Sequence, residues 1–300
     1  VALVLWGADR LTDGAVAVAE KMKMPQIVIG LTIVAMGTSM PEFCVSFISA
    51  LKGTSDLAVG NIVGSNIFNA LLIVGVSALV APMTIMETTV RKDIPFALVA
   101  SAMLLMMGLD GDISRLDAGI LFVMFLIFMY MTLKGAKKQG ADAEEAIEDE
   151  GKKPMATWLS VVWILVGLLC LIGGSNLFVE GATAVATNLG VSEAVIGLTI
   201  VAGGTSLPEL ATSVVSARKG NSGIAIGNAL GSNVFNILAI LGITGMITPM
   251  TLKGITYIDL SMLVISIMLV WLFSFTKYKI ERWEGVVLTA VFVGYIYSLL

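Results

Sequence analysis

The sequence predicts an all-α membrane protein with ten transmembrane helices, arranged as two five-helix repeats of inverted topology. Three observations lead to this fold class: an apolar composition, an internal duplication and an uneven distribution of Lys and Arg. Hydrophobic residues make up 57% of the 300 residues and charged residues 13%, and the mean hydropathy is +0.94. Soluble domains carry about 25% charged residues, so this composition indicates a chain that crosses the membrane several times.

Ten apolar runs approach the length that a helix needs to cross a bilayer, about 20 residues. They lie at residues 1–20, 26–50, 57–80, 94–109, 116–133, 157–186, 193–217, 223–248, 257–275 and 283–300. The repeat partner of the first run begins near Thr157, which corresponds to a position roughly ten residues before Val1. We therefore expect an N-terminal extension that completes the first helix in the natural protein.

Two copies of one motif reveal the duplication, GLTIVAMGTSMPE at Gly30–Glu42 and GLTIVAGGTSLPE at Gly197–Glu209. Adding 167 to each position from Gly30 to Ala70 reaches its counterpart without a gap, and 25 of the 41 aligned pairs are identical. The copies continue as GNIVGSNIFN and GNALGSNVFN. Self-similarity of this extent indicates a duplicated structural unit.

A hydrophilic linker separates the two copies. We expect the first repeat at residues 1–133, a solvated linker of acidic and basic residues at 134–156, and the second repeat at 157–300. Five predicted spans precede the linker and five follow it. An odd number of spans in each repeat means that the second repeat enters the membrane from the opposite side, which is the definition of inverted topology.

Lys and Arg provide an independent test of topology, because they accumulate in cytoplasmic loops. Three of them, Lys52, Arg115 and Lys253, follow even-numbered spans. Fourteen follow odd-numbered spans: Lys21, Lys23, Arg91, Lys92, Lys134, Lys137, Lys138, Lys152, Lys153, Arg218, Lys219, Lys277, Lys279 and Arg282. This bias predicts that both termini lie outside and that the linker is cytoplasmic, for a protein of the plasma (cell inner) membrane.

Each motif ends in a proline and a glutamate inside an apolar run. Pro41 has no N–H to return to the carbonyl of Gly37, so the helix should break there, and Pro208 has the same effect in the second copy. Irregular backbone at membrane depth is tolerated where it is buried in protein or lines a cavity. A buried carboxylate is costly in a membrane and usually functional, so Glu42 and Glu209 are the leading candidates for a site.

The polar residues around the two glutamates are ligands for a hard cation. Each motif and its continuation contain hydroxyl, amide and carboxylate oxygens at four-residue spacing, as in Thr38 with Glu42 and Ser65 with Asn69. Ca2+ takes six to eight such oxygens. The chain contains no His, the commonest transition-metal ligand.

Structural explanations remain open for several of these residues. Hydroxyls in membrane helices commonly bond to their own backbone. We interpret four glycines at four-residue spacing as close-packing contacts: Gly60, Gly64, Gly227 and Gly231. Asp13 and Glu180 also align between the copies, and Arg10 can pair with Asp13 on one helix face. We interpret that group as an ion pair rather than an ion pathway.

At the two GTSxPE motifs and the two GSN(I/V)FN segments, the chain resembles the cation/Ca2+ exchanger superfamily, most closely its prokaryotic Na+/Ca2+ exchanger (calcium/sodium antiporter) branch. The resemblance implies the ten-helix fold, with Na+ and Ca2+ bound near the midplane between helices two, three, seven and eight. It further implies that long first and sixth helices slide past that core, and that exchange is electrogenic, with roughly three Na+ for one Ca2+.

The resemblance also implies roles for individual residues. Glu42 and Glu209 would hold the central Ca2+, assisted by the Thr38 and Thr205 carbonyls, and Asn69 and Asn236 would complete the centre. The flanking Na+ sites would draw on Ala35, Ser39 and Ser65 on one side, and on Ala202, Ser206 and Ser232 on the other. Many exchangers carry Asp at the position of Asn236, notably the K+-dependent branch. The amide here therefore argues against K+ co-transport.

The function expected from the sequence is thus secondary antiport of Na+ against Ca2+ by alternating access. Two alternatives remain open: a Ca2+/H+ antiporter of the same superfamily, in which the glutamates exchange protons, and, from a different class, a passive cation channel. No enzymatic activity, cofactor or nucleic-acid partner is expected, because the sequence contains no nucleophile and base pair, phosphate loop or transition-metal cluster. The expected partners are the transported ions and the lipid bilayer.

Overall fold

The computed structural model of the protein describes residues 1–143, 155–189, 202–252 and 254–299, and the described chain is mostly helical. Two predicted segments fall partly outside these ranges. Residues 144–154 belong to the predicted linker, and residues 190–201 to the beginning of the seventh predicted span and of the second motif. Of the linker, the structure describes an extension of the fifth predicted span, which continues as a helix to Ala143.

The α-helices follow the apolar runs and are numbered here in chain order. The first repeat contains α1 Ala2–Lys21, α2 Gln26–Ile29, α3 Ala35–Thr38, α4 Met40–Leu51, α5 Ser55–Ile67, α6 Val74–Val80, α7 Ile94–Met107 and α8 Arg115–Ala143. The second contains α9 Thr157–Asn188, α10 Ala202–Thr205, α11 Leu207–Arg218, α12 Ser222–Val234, α13 Leu241–Ile247, α14 Tyr257–Ser274 and α15 Arg282–Leu299.

Several helices run on through π-helical turns, so that they form longer continuous spans. These wider turns lie at Gly30–Val34, Phe68–Ile73, Thr89–Asp93 and Phe235–Ile240. Two of them, Phe68–Ile73 and Phe235–Ile240, occupy equivalent positions of the two sequence copies. A π-helical turn places an extra residue in the helix and is frequent at functional sites. Asn69 and Asn236 lie within these two turns.

Six helices among the described residues are long and apolar enough to cross a membrane. They are Ser55–Val80, Thr89–Asp110, Arg115–Ala136, Thr157–Asn188, Ser222–Ile247 and Tyr257–Ser274. A seventh span forms if the bent pair Gln26–Thr38 and Met40–Leu51 is taken as one crossing. The protein is therefore an integral multi-pass membrane protein.

Two of these spans form the centre of the molecule. The most apolar windows of Ser55–Val80 and Ser222–Ile247 are 72% and 83% buried, against 22–39% for the other four spans. The two central spans are equivalent in the sequence duplication, and each carries one copy of the GSN(I/V)FN segment. The polar residues of that segment consequently lie in protein rather than in lipid.

The predicted helix break at each proline motif is confirmed. The first break is at Ser39, where φ is −81° and ψ is 9°, and the two halves of the span meet at 48°. The second is at Ser206, with φ −89° and ψ 7°. In both, the proline lies in the first turn of the next helix, where its missing N–H has no intrahelical partner to lose. The glutamate follows in the same turn.

Short antiparallel strand pairs join the two halves at the ends of the helices. β1 Met83–Thr84 pairs with β4 Lys279–Ile280, and β2 Asp112–Ile113 pairs with β3 Met250–Thr251. Each pair contains one strand from each repeat. These contacts, together with the central spans, build the two sequence copies into one structure.

Candidate cation-binding site

The two motif glutamates are completely buried. Glu42 and Glu209 are both 0% exposed. Glu42 belongs to the first repeat and Glu209 to the second. Each sits in the first turn of its helix, α4 or α11, directly after the break. The positive end of a helix dipole stabilises a carboxylate at that position. This local effect offsets part of the cost of burying the charge.

Each glutamate is bound by the serine of the other motif. The Ser39 hydroxyl donates to Glu209 Oε1 at 2.8 Å, and the Ser206 hydroxyl donates to Glu42 Oε1 at 3.0 Å. Ser39 and Ser206 are equivalent residues of the two copies, so the exchange of partners is reciprocal. The two breaks therefore face each other, and together they form a single site.

The second pair of predicted serines lies next to these groups, Ser232 at the Glu209 carboxylate and Ser65 at the Ser206 hydroxyl. Ser232 Oγ is 3.5 Å from Glu209 Oε1, and Ser65 Oγ is 3.2 Å from Ser206 Oγ. Both serines are buried. Because Ser65 and Ser232 come from the central spans, each end of the site combines groups from a broken helix and from a central helix.

Several buried polar atoms of the two glutamates and of the predicted ligands Asn69 and Asn236 have no hydrogen-bond partner among the described residues. They are Glu42 Oε2, Glu209 Oε2, both amide atoms of Asn69 and Asn236 Oδ1. Four of these five atoms are oxygens with lone pairs. Leaving such an acceptor buried without a partner costs about 1–3 kcal/mol, and more when it is charged. Unpartnered carboxylate and amide oxygens are the groups that a bound hard cation would satisfy.

The residues before each break are placed differently. The Thr38 hydroxyl donates to Asn228 Oδ1 at 3.0 Å and lies 3.3 Å from the Ala35 carbonyl oxygen, which also accepts the Ser39 N–H at 3.0 Å. The Ala35 carbonyl is thus already engaged within the helix. Thr205 ends α10 next to the second break, and the backbone of Ala202 begins that helix.

Sequence reasoning missed a set of asparagines that support the site. Asn228 Nδ2 donates to the Glu209 carbonyl at 3.1 Å and to Ser213 Oγ at 3.0 Å. Its counterpart Asn61 makes the equivalent contacts, to the Glu42 carbonyl at 3.4 Å and to Ser46 Oγ at 3.0 Å. The sequence contained a signal for these contacts. Asn61 and Asn228 are aligned polar residues of the same type, and so are Ser46 and Ser213.

The interpretation of the glycines as packing residues is confirmed for Gly227 and Gly231. A Cβ on Gly227 would come within 2.6 Å of the Ile27 carbonyl oxygen, and one on Gly231 within 2.6 Å of the Leu31 Cα and carbonyl oxygen. The first broken span therefore lies against α12 with its backbone in contact. For Gly60 and Gly64 the interpretation stays a prediction, because residues 194 and 198, the counterparts of Ile27 and Leu31, lie outside the described residues.

The expected ion pair on α1 is also present, and it has a further partner. Arg10 lies 3.3 Å from Asp13 and also contacts Asp9. Lys219, which directly follows α11, reaches the same two carboxylates, at 2.7 Å from Asp13 and 2.5 Å from Asp9. The sequence predicted the pair of Arg10 with Asp13 but not the contact of Lys219, because Lys219 is 206 residues from Asp13 in the chain.

Comparison with known proteins gives a consistent result over the whole chain. A family model described as sodium/calcium exchanger protein matches residues 1–134 and 159–300. The inner membrane protein YrbG of Escherichia coli is 37% identical over 307 residues, with 99% of this chain and 93% of that protein covered. The sodium/calcium exchanger MaX1 of Methanosarcina acetivorans is 30% identical, with 98% and 94% covered.

A solved structure has the same overall fold. The sodium-calcium exchanger NCX_Mj, soaked with Na+ and Ca2+, superimposes with a TM-score of 0.86 at 30% sequence identity. The alignment covers 99% of this chain and 95% of that one. The similarity thus extends over both repeats and is not confined to the proline motifs.

Proposed function

The chain belongs to the sodium/calcium exchanger family, a family of membrane transporters, and we propose on that premise that it exchanges Na+ for Ca2+ across the membrane. The site would be formed by Glu42 and Glu209 with the hydroxyl and amide groups around them. Ca2+ and Na+ would compete for the same carboxylates. The site would bind Na+ when it is open to one side of the membrane and Ca2+ when it is open to the other. This alternation would couple the two fluxes.

The observation that carries this proposal is the set of orphaned oxygens between the two repeats. Glu42 Oε2, Glu209 Oε2 and the oxygens of Asn69 and Asn236 are buried and have no partner among the described residues. The two carboxylates carry a formal charge of −2, which one Ca2+ or two Na+ would balance. An empty, charged site is costly to move through a low-dielectric interior. Reorientation should therefore be easiest when cations occupy the site.

We extend the proposal to the fold that this mechanism needs. Ten transmembrane helices in two inverted repeats, residues 1–133 and 157–300, would present the two breaks to opposite faces of the membrane. Both termini would lie outside, with the linker 134–156 in the cytoplasm of a cell whose plasma membrane holds the protein. The reciprocal contacts of Ser39 and Ser206 support this arrangement, because each break reaches the carboxylate of the other.

The full ligand set would include, besides the glutamates, Thr38, Thr205, Ser39, Ser65, Asn69, Ala35, Ala202, Ser206, Ser232 and Asn236. Exchange of roughly three Na+ for one Ca2+ would move one net charge in each cycle. With asparagine at both 69 and 236, the site offers no third carboxylate for K+. We therefore propose electrogenic exchange that is independent of K+.

Flux measurements on proteoliposomes test the function directly. Vesicles loaded with Na+ and diluted into Na+-free buffer should take up 45Ca2+, and uptake should stop when the Na+ gradient is abolished. Uptake should be unchanged without K+. Because each cycle exports one net positive charge, an inside-negative potential should develop and slow uptake, and uptake should increase when a permeant anion can leave the vesicles and dissipate that potential. Flux driven by a pH gradient without Na+ would instead identify a Ca2+/H+ antiporter, and Ca2+ flux without any counter-ion a channel.

A difference between two helix pairs that are equivalent in the duplication supports alternating access. The pairs are α1 with α11, and α9 with α4. On the side of Lys219, α1 packs along α11, and a hydrogen bond of 2.9 Å joins Thr12 Oγ to Ser216 Oγ. On the equivalent side, within the part of the chain that the structure describes, α9 makes no comparable packing contact with α4. Lys219 and Lys52 are counterparts in the duplication, as are Asp13 and Glu180. Within the described residues, an ion pair joins Lys219 to Asp13, but none joins Lys52 to Glu180.

We propose that the two pairs form in alternation, Lys219 with Asp13 when the cytoplasmic side is closed and Lys52 with Glu180 when the external side is closed. Neutralising Lys219 in Lys219→Gln should then favour the inward-open state. A half-exposed ion pair contributes about 0.2–1 kcal/mol, so the population ratio should change by up to about fivefold.

Apparent Ca2+ affinities measured on the two faces of the membrane report that ratio. The apparent affinity on each face falls as the population of the state that is open to that face falls. The ratio of the external to the internal half-saturating Ca2+ concentration should rise in Lys219→Gln and fall in Lys52→Gln. The exposed Lys92→Gln, outside both pairs, serves as the control. A shift in the same direction for both lysines would contradict the alternation.

A further inference from the structure

Three asparagines of the two central spans are hydrogen-bonded to one another, and their hydrogen bonds are not symmetrical. Asn66 of α5 and Asn233 of α12 are equivalent residues that bind each other's backbone. Asn66 Nδ2 donates to the Asn233 carbonyl at 3.4 Å, and Asn233 Nδ2 donates to the Asn66 carbonyl at 3.2 Å. Both side chains are buried. The two halves of the protein are thus joined by a reciprocal amide pair close to the candidate site.

The partner of Asn66 decides which way its amide faces. A backbone carbonyl can only accept, so the NH2 group of Asn66 must point toward the Asn233 carbonyl and its oxygen must point away. That oxygen, Asn66 Oδ1, accepts a hydrogen bond of 3.1 Å from Asn236 Nδ2. The reversed amide of Asn236 would place two acceptors against each other and leave both unpaired.

The orientation of Asn236 follows from this contact. Because its NH2 group is held by Asn66, its oxygen is left as the free end of the amide. Asn236 Oδ1 is buried and has no partner among the described residues. A neutral carbonyl oxygen fixed in this way is a suitable ligand for Na+ or Ca2+.

The first repeat lacks the corresponding contact. Neither amide atom of Asn69, the counterpart of Asn236, has a partner among the described residues, and Asn233 Oδ1 is also unpaired. Asn69 is therefore not oriented by Asn233 as Asn236 is by Asn66. The amides of Asn69 and Asn236 therefore differ in how firmly they are held, although the two residues are aligned counterparts of the same type.

We propose that Asn66 is a positioning residue that orients the Asn236 amide and so presents Asn236 Oδ1 to the transported cation. The contact also selects the residue type at 236. An ionised carboxylate there would face Asn66 Oδ1 with an oxygen and no hydrogen, whereas an amide supplies the required donor. Asn66 thereby favours a neutral ligand at this position. The inference rests on the proposed function, since it assigns the oxygen to that site.

A double-mutant cycle with a matched control tests the proposal. In Asn66→Leu the Asn236 amide loses its orienting acceptor, and the half-saturating Ca2+ concentration should rise about tenfold. In the background of Asn236→Leu, which removes the oriented oxygen, the same change should have little further effect. Asn233→Leu deletes the equivalent buried amide but keeps the backbone carbonyl that orients Asn66, so its Ca2+ affinity should stay within about twofold of the wild type.

Binding of 45Ca2+ to the detergent-purified protein is the readout, with thermal unfolding of each variant measured separately. An equal loss of affinity in Asn66→Leu and Asn233→Leu, or additive effects of Asn66→Leu and Asn236→Leu, would show that the amide pair is only structural and overturn the inference. Absence of Ca2+ binding by the wild-type protein would instead count against the proposed function. If the wild-type protein binds Ca2+ and Asn66→Leu binds it with the same affinity, the proposed role of Asn66 is wrong and the proposed function is unaffected.

Discussion

Replacement of Glu42 or Glu209 by glutamine is expected to reduce Na+-driven Ca2+ flux by about a hundredfold or more. Each change removes one of the two negative charges of the site. The folded structure should survive, because a glutamine oxygen can still accept the hydrogen bond from Ser206 or Ser39. The loss should therefore reflect cation binding, measured as 45Ca2+ uptake into Na+-loaded proteoliposomes together with thermal unfolding of the purified variants.

Glu284 provides the matched control for burial. It is also 0% exposed and lies in the first turn of its helix, α15, where its Oε2 accepts the Glu281 N–H at 2.7 Å. Glu284→Gln should keep most of the flux, since glutamine can replace this contact. Full flux in Glu42→Gln or Glu209→Gln would refute the assignment of that carboxylate to the site.

Substitution of Gly231 by alanine is expected to destabilise the protein strongly. The added Cβ would lie 2.6 Å from both the Leu31 Cα and its carbonyl oxygen, and 2.8 Å from the Ala35 Cβ. Because two of these atoms belong to the backbone, the first broken span would have to move away from α12. Overpacking of this kind typically costs about 1–3 kcal/mol, which should lower the melting temperature by several degrees.

Gly294→Ala is the appropriate comparison, because a Cβ at that helical position meets nothing within 4 Å. Alanine is a better helix former than glycine by about 1 kcal/mol, so this variant should be as stable as the wild type or slightly more so. Thermal unfolding in detergent, followed by size-exclusion chromatography, measures both. A Gly231→Ala variant with unchanged melting temperature would contradict the close contact between the two spans.

Much of the fold could be predicted from the sequence, because its signals are local and strong in a membrane protein. Long apolar runs predicted the six long spans found among the described residues, and Pro41 and Pro208 predicted where helices break. A proline cannot complete the helical hydrogen bond, whatever surrounds it. The boundaries were less certain, and the fifth span continues ten residues beyond its predicted end, to Ala143.

The residues of the candidate site could also be found, since buried polar groups in apolar runs are few. Glu42 and Glu209 stood out for that reason, and the family resemblance added Ser39 and Ser206. The structure brings all four together. Asn61 and Asn228 did not, although they hold the backbone at the glutamates. Asparagine next to glycine suggests a helix contact as readily as a site, so sequence position alone did not separate these roles.

The amino-acid sequence is sufficient to show that the chain crosses the membrane and consists of two related halves, and it predicts which side chains could bind a cation. The pairing of distant residues is visible only in the folded protein: Ser39 with Glu209, Lys219 with Asp13, and Asn66 with Asn236. The partners in each pair are at least 170 residues apart. Apolar periodicity and helix breaks act within a few turns of chain, whereas these hydrogen bonds exist only because the two halves pack against each other.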